Sequence, residues 1–188
     1  MTAPRPTSAR IEPLADLSGD AEELQGTLIT NAEGKPVNIF ATLAKHPKLC
    51  KRFNLFGGFL LNKGLVPPRE REIVILRVGW NAKAVYEFGQ HTVIGRNCGL
   101  SDAEIKALAT DDPSAVAWSA DDRSLIALAD DLCHDDCVSD ETFAAVRQRW
   151  SEAETIELIV VAGFYRLVSG FLNSAGVELD RGVPSWPA

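Results

Sequence analysis

The chain has no sustained alternation of apolar and polar residues and no Asn-Gly-type dipeptide between apolar runs, the usual marks of half-buried strands and their tight turns. The apolar patterning that remains is helical in period, and an all-α fold is predicted. Basic clusters are missing as well. With a formal net charge of −7 and no long basic run, the chain lacks the positive surface that a phosphate backbone requires, so nucleic acid is not expected as a partner. Small molecules are. No apolar run of bilayer-spanning length stands out, and the opening MTAPRPTSARIEPLAD lacks the apolar core of a secretory signal. No membrane partner is therefore expected, and the predicted location is cytoplasmic.

Cysteine is also scarce. Cys50, Cys98, Cys133 and Cys137 are too few to form a disulfide framework in 188 residues. CHDDC at 133–137 suggests a thiol pair or a metal fragment, but no second Cys/His cluster completes a four-ligand zinc site, so no metal is expected. A redox pair normally has two intervening residues and an electropositive setting, whereas Asp130, Asp131, Asp135 and Asp136 surround this one. These acidic neighbours favour a helix end with incidental cysteines.

A 46% hydrophobic content over 188 residues is enough for one domain with a substantial core. The expected organisation is an arm at 1–19, a helical domain at 20–180 and a tail at 181–188. The arm holds Pro4, Pro6 and Pro13 without helical periodicity, so it packs on something larger, a partner subunit included, or stays mobile. Asp20 and Asn38 are expected caps of short helices, and Ser101-x-x-Glu104, Ser119-x-x-Asp122 and Ser151-x-x-Glu154 have the spacing of capping boxes or close variants. The helix after Ser151 is apolar on nearly every side, with Gly163 and Gly170 two turns apart on one face where another helix can approach. That degree of apolar character predicts a homo-oligomer.

The stretch from Pro67 to Leu100 is the centre of the reading. Pro67 and Pro68 suit a first helical turn, where a missing N–H costs nothing. From Glu70 to Trp80 the apolar residues occupy nearly every angle of the wheel, so Glu72 and Arg77 are charges inside a buried helix. A buried carboxylate must be paired, hydrogen-bonded or protonated. A second helix is expected from about Ala82 to Asn97, ended by Gly99. On it Glu87 and His91 are four apart and share a face, where a carboxylate can orient an imidazole or raise its pKa. Such pairs also occur on solvated surfaces, but the large apolar neighbours Tyr86, Phe88 and Ile94 favour the lining of a pocket.

The pattern Glu72, eleven intervening residues, Ala84-x-x-Glu87-x-x-x-His91, then Gly99-Leu100-Ser101 and Glu104-Ile105, resembles the carboxymuconolactone decarboxylase family, which shares its fold with the alkyl hydroperoxidase D-like proteins. Residues 38–110 carry the best match, and GFYRLVSGFLNSAGVELD extends it to about 180. The resemblance implies an alkyl hydroperoxidase D-like helical bundle assembled as a trimer or hexamer. In the peroxidase branch the positions of Ala84 and Glu87 form a redox Cys-x-x-Cys, assisted by residues matching Glu72 and His91; both cysteines are absent here. The decarboxylase branch carries Glu and His at the positions of Glu87 and His91. It implies cofactor-independent decarboxylation of a small unsaturated lactone or related carboxylate, with aromatic catabolism as the setting. The Gly-x-Pro segment typical near the carboxyl end of that branch is missing.

The expected catalytic residues are therefore His91 as proton donor, Glu87 beside it, and Glu72 as second acid or orienter. Arg77, Tyr86 and Trp80 are the candidates for binding substrate, with a bridge to Glu72 as the structural reading of Arg77 and core packing as that of the two aromatics. Arg69 and Arg71 are expected to be solvated. Two other readings stay open: peroxidase-like activity of the wider superfamily, and a helical oligomer that binds small molecules without turning them over.

Overall fold

The computed structural model describes residues 4–187. Among these, eight α-helices follow one another with two short 3-10 turns and an isolated bridge between Thr30 and Pro36. The helices are α1 (Asn38–Leu43), α2 (Pro47–Asn62), α3 (Pro68–Asn81), α4 (Val85–Asn97), α5 (Asp102–Leu108), α6 (Ala120–Asp135), α7 (Asp140–Arg149) and α8 (Glu152–Ala175).

Helix α3 is the hub. It lies against α4, α6 and α8, and every residue from Arg71 to Gly79 is buried, as its unbroken apolar wheel requires. Pro67 precedes the helix and Pro68 opens it. Entry is fixed from α8, where the buried Glu157 carboxylate accepts the N–H groups of Leu65 at 2.7 Å and Val66 at 2.9 Å. The N–H of the buried Val66, which the irregular segment would otherwise leave unpaired, is thereby satisfied together with that of Leu65.

The turn from α3 to α4 is longer than the sequence suggested. Ala82 still has helical angles, but Lys83 takes a positive φ of 52° and Ala84 leaves the helical region with φ −97° and ψ 86°, so α4 starts at Val85 rather than at 82. Helix α4 then lies close along α3. At Gly95 an added Cβ would sit 3.1 Å from Leu100 and 3.3 Å from Leu76, so a side chain there would push the helices apart one turn beyond His91. Gly99, with φ +97°, reverses the chain after α4.

The capping residues place the remaining helices. Ser101 with Glu104 and Ser151 with Glu154 form complete capping boxes, and Ser119 and Ser139 accept the N–H groups of Asp122 and Thr142. His46 caps α2, its ring nitrogen accepting the Leu49 N–H. Two expectations are corrected: Val37, not Asn38, precedes α1, and the segment after Asp20 is a 3-10 turn ending at Leu24. By length and composition α8 could cross a bilayer, contrary to the impression from the sequence, yet half of its most apolar window is buried within the fold. Where the sequence left the arm's resting place open, its described part packs on its own chain. Arg10 and Ile11 donate to the Ala175 carbonyl, Leu14 donates to that of Ala41, and Arg5 reaches that of Ala82.

Candidate active site

Glu72 in the middle of α3 and His91 in the middle of α4 meet where the two helices touch. Glu72 Oε2 lies 2.6 Å from His91 Nδ1, a short charge-assisted hydrogen bond. The other oxygen, Oε1, accepts from Nε and Nη2 of Arg71, both at 3.2 Å. On the far side of the imidazole, Nε2 lies 3.1 Å from Glu87 Oε1, one helical turn back along α4. The ring of Tyr165 from α8 stands edge-on to the imidazole with centroids 4.9 Å apart. All five residues are buried; Glu72 is 0% exposed and His91 5%.

Two carboxylates, one guanidinium and one imidazolium sum to zero, and that balance makes the cluster tolerable inside a protein. Burial by itself pulls the His91 pKa down. The charge of Glu72 and its hydrogen bond, with Glu87 adding to both effects, outweigh burial and raise the pKa well above its ordinary value. His91 is thus an imidazolium at neutral pH. Nδ1–H is locked to a carboxylate that Arg71 also grips, while Nε2–H faces the longer contact with Glu87 and is the proton more readily given up. Burial, then the charges of Glu87 and Glu72, raise the Tyr165 pKa, so it remains a neutral phenol. Cys98, half-buried at the end of α4, is also held as a thiol by burial and by the charge of Glu72.

The three residues proposed to bind substrate do not join this cluster. Arg77 points away to α6, where Nε lies 2.5 Å and Nη2 3.0 Å from the carboxylate of Asp130, and it also donates to the carbonyls of Leu108 and Thr110. It does not bridge to Glu72; it lines a separate cavity of about 420 Å³ together with Asn81, Asp130 and Cys133. Five residues on from Glu72 along a helix is 500°, about 140° around the axis, and that rotation turns Arg77 to a different neighbour. Tyr86 is buried in a second apolar core, apart from the one around α3 and formed with Leu24, Phe40, Leu43 and Leu172; its hydroxyl donates to Asp180 at 2.5 Å and accepts the Ile39 N–H, tying the C-terminal segment and α1 to α4. Trp80 packs edge-on against Trp186, centroids 5.3 Å apart, with Lys83 over its ring. The core-packing reading holds for both aromatics.

Arg71 and Tyr165 were missed. Arg71 was expected in solvent, but α3 is enclosed all round, so even adjacent positions such as 71 and 72 face protein. A signal was available, since nothing from residue 71 to 79 marks a solvent-facing stripe. Arg69, also expected in solvent, is partly buried and pairs with Asp122 and Glu104. Cavities of about 320–500 Å³ lie away from the cluster, along the α6–α7 turn, the arm, α2 and between the ends of α3 and α6. Among the described residues no group of three or more His, Cys, Asp or Glu is arranged to hold a metal ion.

Because Arg77 serves α6 and not the site, Arg77→Met should lower stability by about 1–3 kcal/mol, the scale for leaving a partly buried acceptor set unpaired. Urea unfolding measures this. A change in substrate KM without a stability loss would instead return Arg77 to the site.

The chain has an alkyl hydroperoxidase D-like helical fold. It resembles the alkylhydroperoxidase AhpD core protein of Ralstonia eutropha JMP134, described as an uncharacterized peroxidase-related protein, with TM-score 0.78, 17% identity, and coverage of 93% of this chain and 95% of that one. A peroxidase-related protein of Silicibacter sp. TM1040 is as similar, with TM-score 0.78, 17% identity and 97% of both chains covered. The debrominase Bmp8 C82A, in complex with 2,3,4-tribromopyrrole, gives TM-score 0.73 at 16% identity, covering 93% of this chain and 94% of that one. No curated protein sequence matches. The model of the carboxymuconolactone decarboxylase family matches residues 47–131, which include Glu72, Glu87 and His91. Residues 47–131 thus match the carboxymuconolactone decarboxylase family, within a fold of the alkyl hydroperoxidase D-like type.

Proposed function

We propose that the protein is a cofactor-independent carboxy-lyase acting on a small unsaturated lactone or related carboxylate. The observation that carries this reading is the imidazolium of His91 held between Glu72 and Glu87. When such a substrate loses carbon dioxide, the electron pair of the broken C–C bond passes into the conjugated lactone as a dienolate, and the remaining need is a proton delivered to carbon. His91 Nε2–H supplies it by leaving its contact with the Glu87 carboxylate, while Glu72 and Arg71 fix the ring through Nδ1–H. General acid catalysis of this kind contributes roughly 10²–10⁴-fold.

A thiol peroxidase reading has less support, because residues 84 and 87 are Ala and Glu and because burial, the largest effect at Cys133, raises that thiol's pKa. Cys98→Ser and Cys133→Ser are expected to leave turnover unchanged, and thiol-dependent peroxide consumption should be negligible. Peroxide turnover abolished by either replacement would displace the lyase reading. The direct test is ultraviolet absorbance of unsaturated lactone acids and β-keto acids incubated with the purified protein. If none of them is consumed, the proposed substrate class is wrong.

A further inference from the structure

We infer that the outer face of α8 pairs antiparallel, about a two-fold axis, with α8 of a second copy of this chain. Between Ile156 and Ser174 the exposed positions of α8 are Ile156, Val160, Gly163, Leu167, Gly170 and Ser174. Their spacings of 4, 3, 4, 3 and 4 follow the turn of the helix, so the six positions form one continuous stripe along its outer face. None carries a charge, so pairing desolvates no ion.

The order of large and small residues selects the register. In an antiparallel pair centred on position 165, Leu167 faces Gly163 of the second copy, Val160 faces Gly170, and Ile156 faces Ser174. Each large side chain meets a small one. A Cβ added at Gly163 or Gly170 would touch nothing within 4 Å, so neither glycine serves packing inside its own chain, and both leave holes on the outer face. A parallel pair would instead set Leu167 on Leu167 and glycine on glycine, crowding one layer and emptying the next. Shifting the antiparallel centre by half a heptad sets Ile156 against Leu167, or glycine against Ser174.

The seam alone is too small. Eighteen residues of helix are roughly 27 Å long, and a strip of that length and one helix wide falls short of the ~800 Å² per partner of a stable interface. Helix α2 extends it. Phe56 and Phe53 stack on Phe164 of α8 with centroids 5.1 Å apart, and Leu55, Phe56 and Phe59 are 67%, 43% and 47% exposed around a groove of about 500 Å³. The apolar surface thus continues from α8 onto α2.

Light scattering on the full chain at micromolar concentration is expected to give an even multiple of the 20.4 kDa chain mass, either a dimer or a hexamer built from such pairs. Leu167→Asp and Gly163→Arg, both at exposed positions, should lower that mass at least twofold with the circular dichroism unchanged. Register is read by mild oxidation. Gly163→Cys/Leu167→Cys should yield a crosslinked dimer that the unmodified chain does not, whereas Ile156→Cys/Val160→Cys should not, its thiols lying roughly 15 Å or more apart along the axis. A monomer, a trimer, an unchanged mass for both Leu167→Asp and Gly163→Arg, or crosslinking in the Ile156/Val160 variant each overturns the pairing. A monomer that pellets with phosphatidylcholine vesicles through α8 also overturns it and assigns the stripe to lipid.

Discussion

His91→Gln is expected to reduce lyase kcat/KM by about 10²–10⁴-fold while the protein keeps its circular dichroism and its oligomeric mass. Glutamine can still donate an amide N–H to Glu72 across the α3–α4 contact, so the helices need not separate, but it has no proton to give to carbon. Unmodified protein should show a second signature. Because His91 is raised to a pKa of about 10 in the folded state, turnover should stay level through neutral pH and fall as the pH rises towards that value, where the donor becomes neutral. A rate that falls instead near pH 6.5, the ordinary value of a free imidazole, would mean that the two glutamates do not control the acid. If His91→Gln raises KM alone and leaves kcat intact, the ring binds substrate without protonating it.

The parts of this site that sequence revealed are those set by helical period. Glu87 and His91 share a face because they are four apart, and α3 announces its burial through an apolar wheel that leaves no solvent side. The meeting of Glu72 with His91 followed from folding two such helices back on each other. What sequence could not supply is the rotation of each helix relative to its neighbours. Arg77 was a candidate for binding substrate, with a bridge to Glu72 as its structural reading, but α6 offers Asp130 on the face it occupies. Tyr86 sits beside Glu87 in the chain and points to the other core, where Asp180, nearly a hundred residues away, receives its hydroxyl. Partners so distant in sequence leave no local pattern. The turn at Lys83 failed differently: a lysine at positive φ carries no signature, because that conformation suits glycine or asparagine, and here the turn is closed by backbone bonds from Lys83 N–H to the Trp80 carbonyl and from Ala84 N–H to that of Gly79.

Arg71→Ala is expected to destabilise the fold by about 3–5 kcal/mol, the cost of removing one partner from a buried ion pair. Without the guanidinium the cluster holds two carboxylates against one imidazolium, and Glu72, at 0% exposure, has no water to replace the two lost N–H donors. Arg71→Lys should lose less, since it restores the charge but not the pair of contacts to Oε1. The midpoint of urea unfolding reads both. A loss below about 1 kcal/mol for Arg71→Ala, the level of a surface ion pair, would show that Glu72 does not depend on it. The pH dependence of stability then separates the charges. His91 has a folded-state pKa above its unfolded value, so the stability it contributes is fully present below about pH 6.5 and is lost as pH rises through the folded value of about 10. In His91→Gln that alkaline loss should flatten. In Arg71→Ala it should persist and remain at least as steep, because the extra uncompensated carboxylate charge makes retention of the His91 proton more important to the fold.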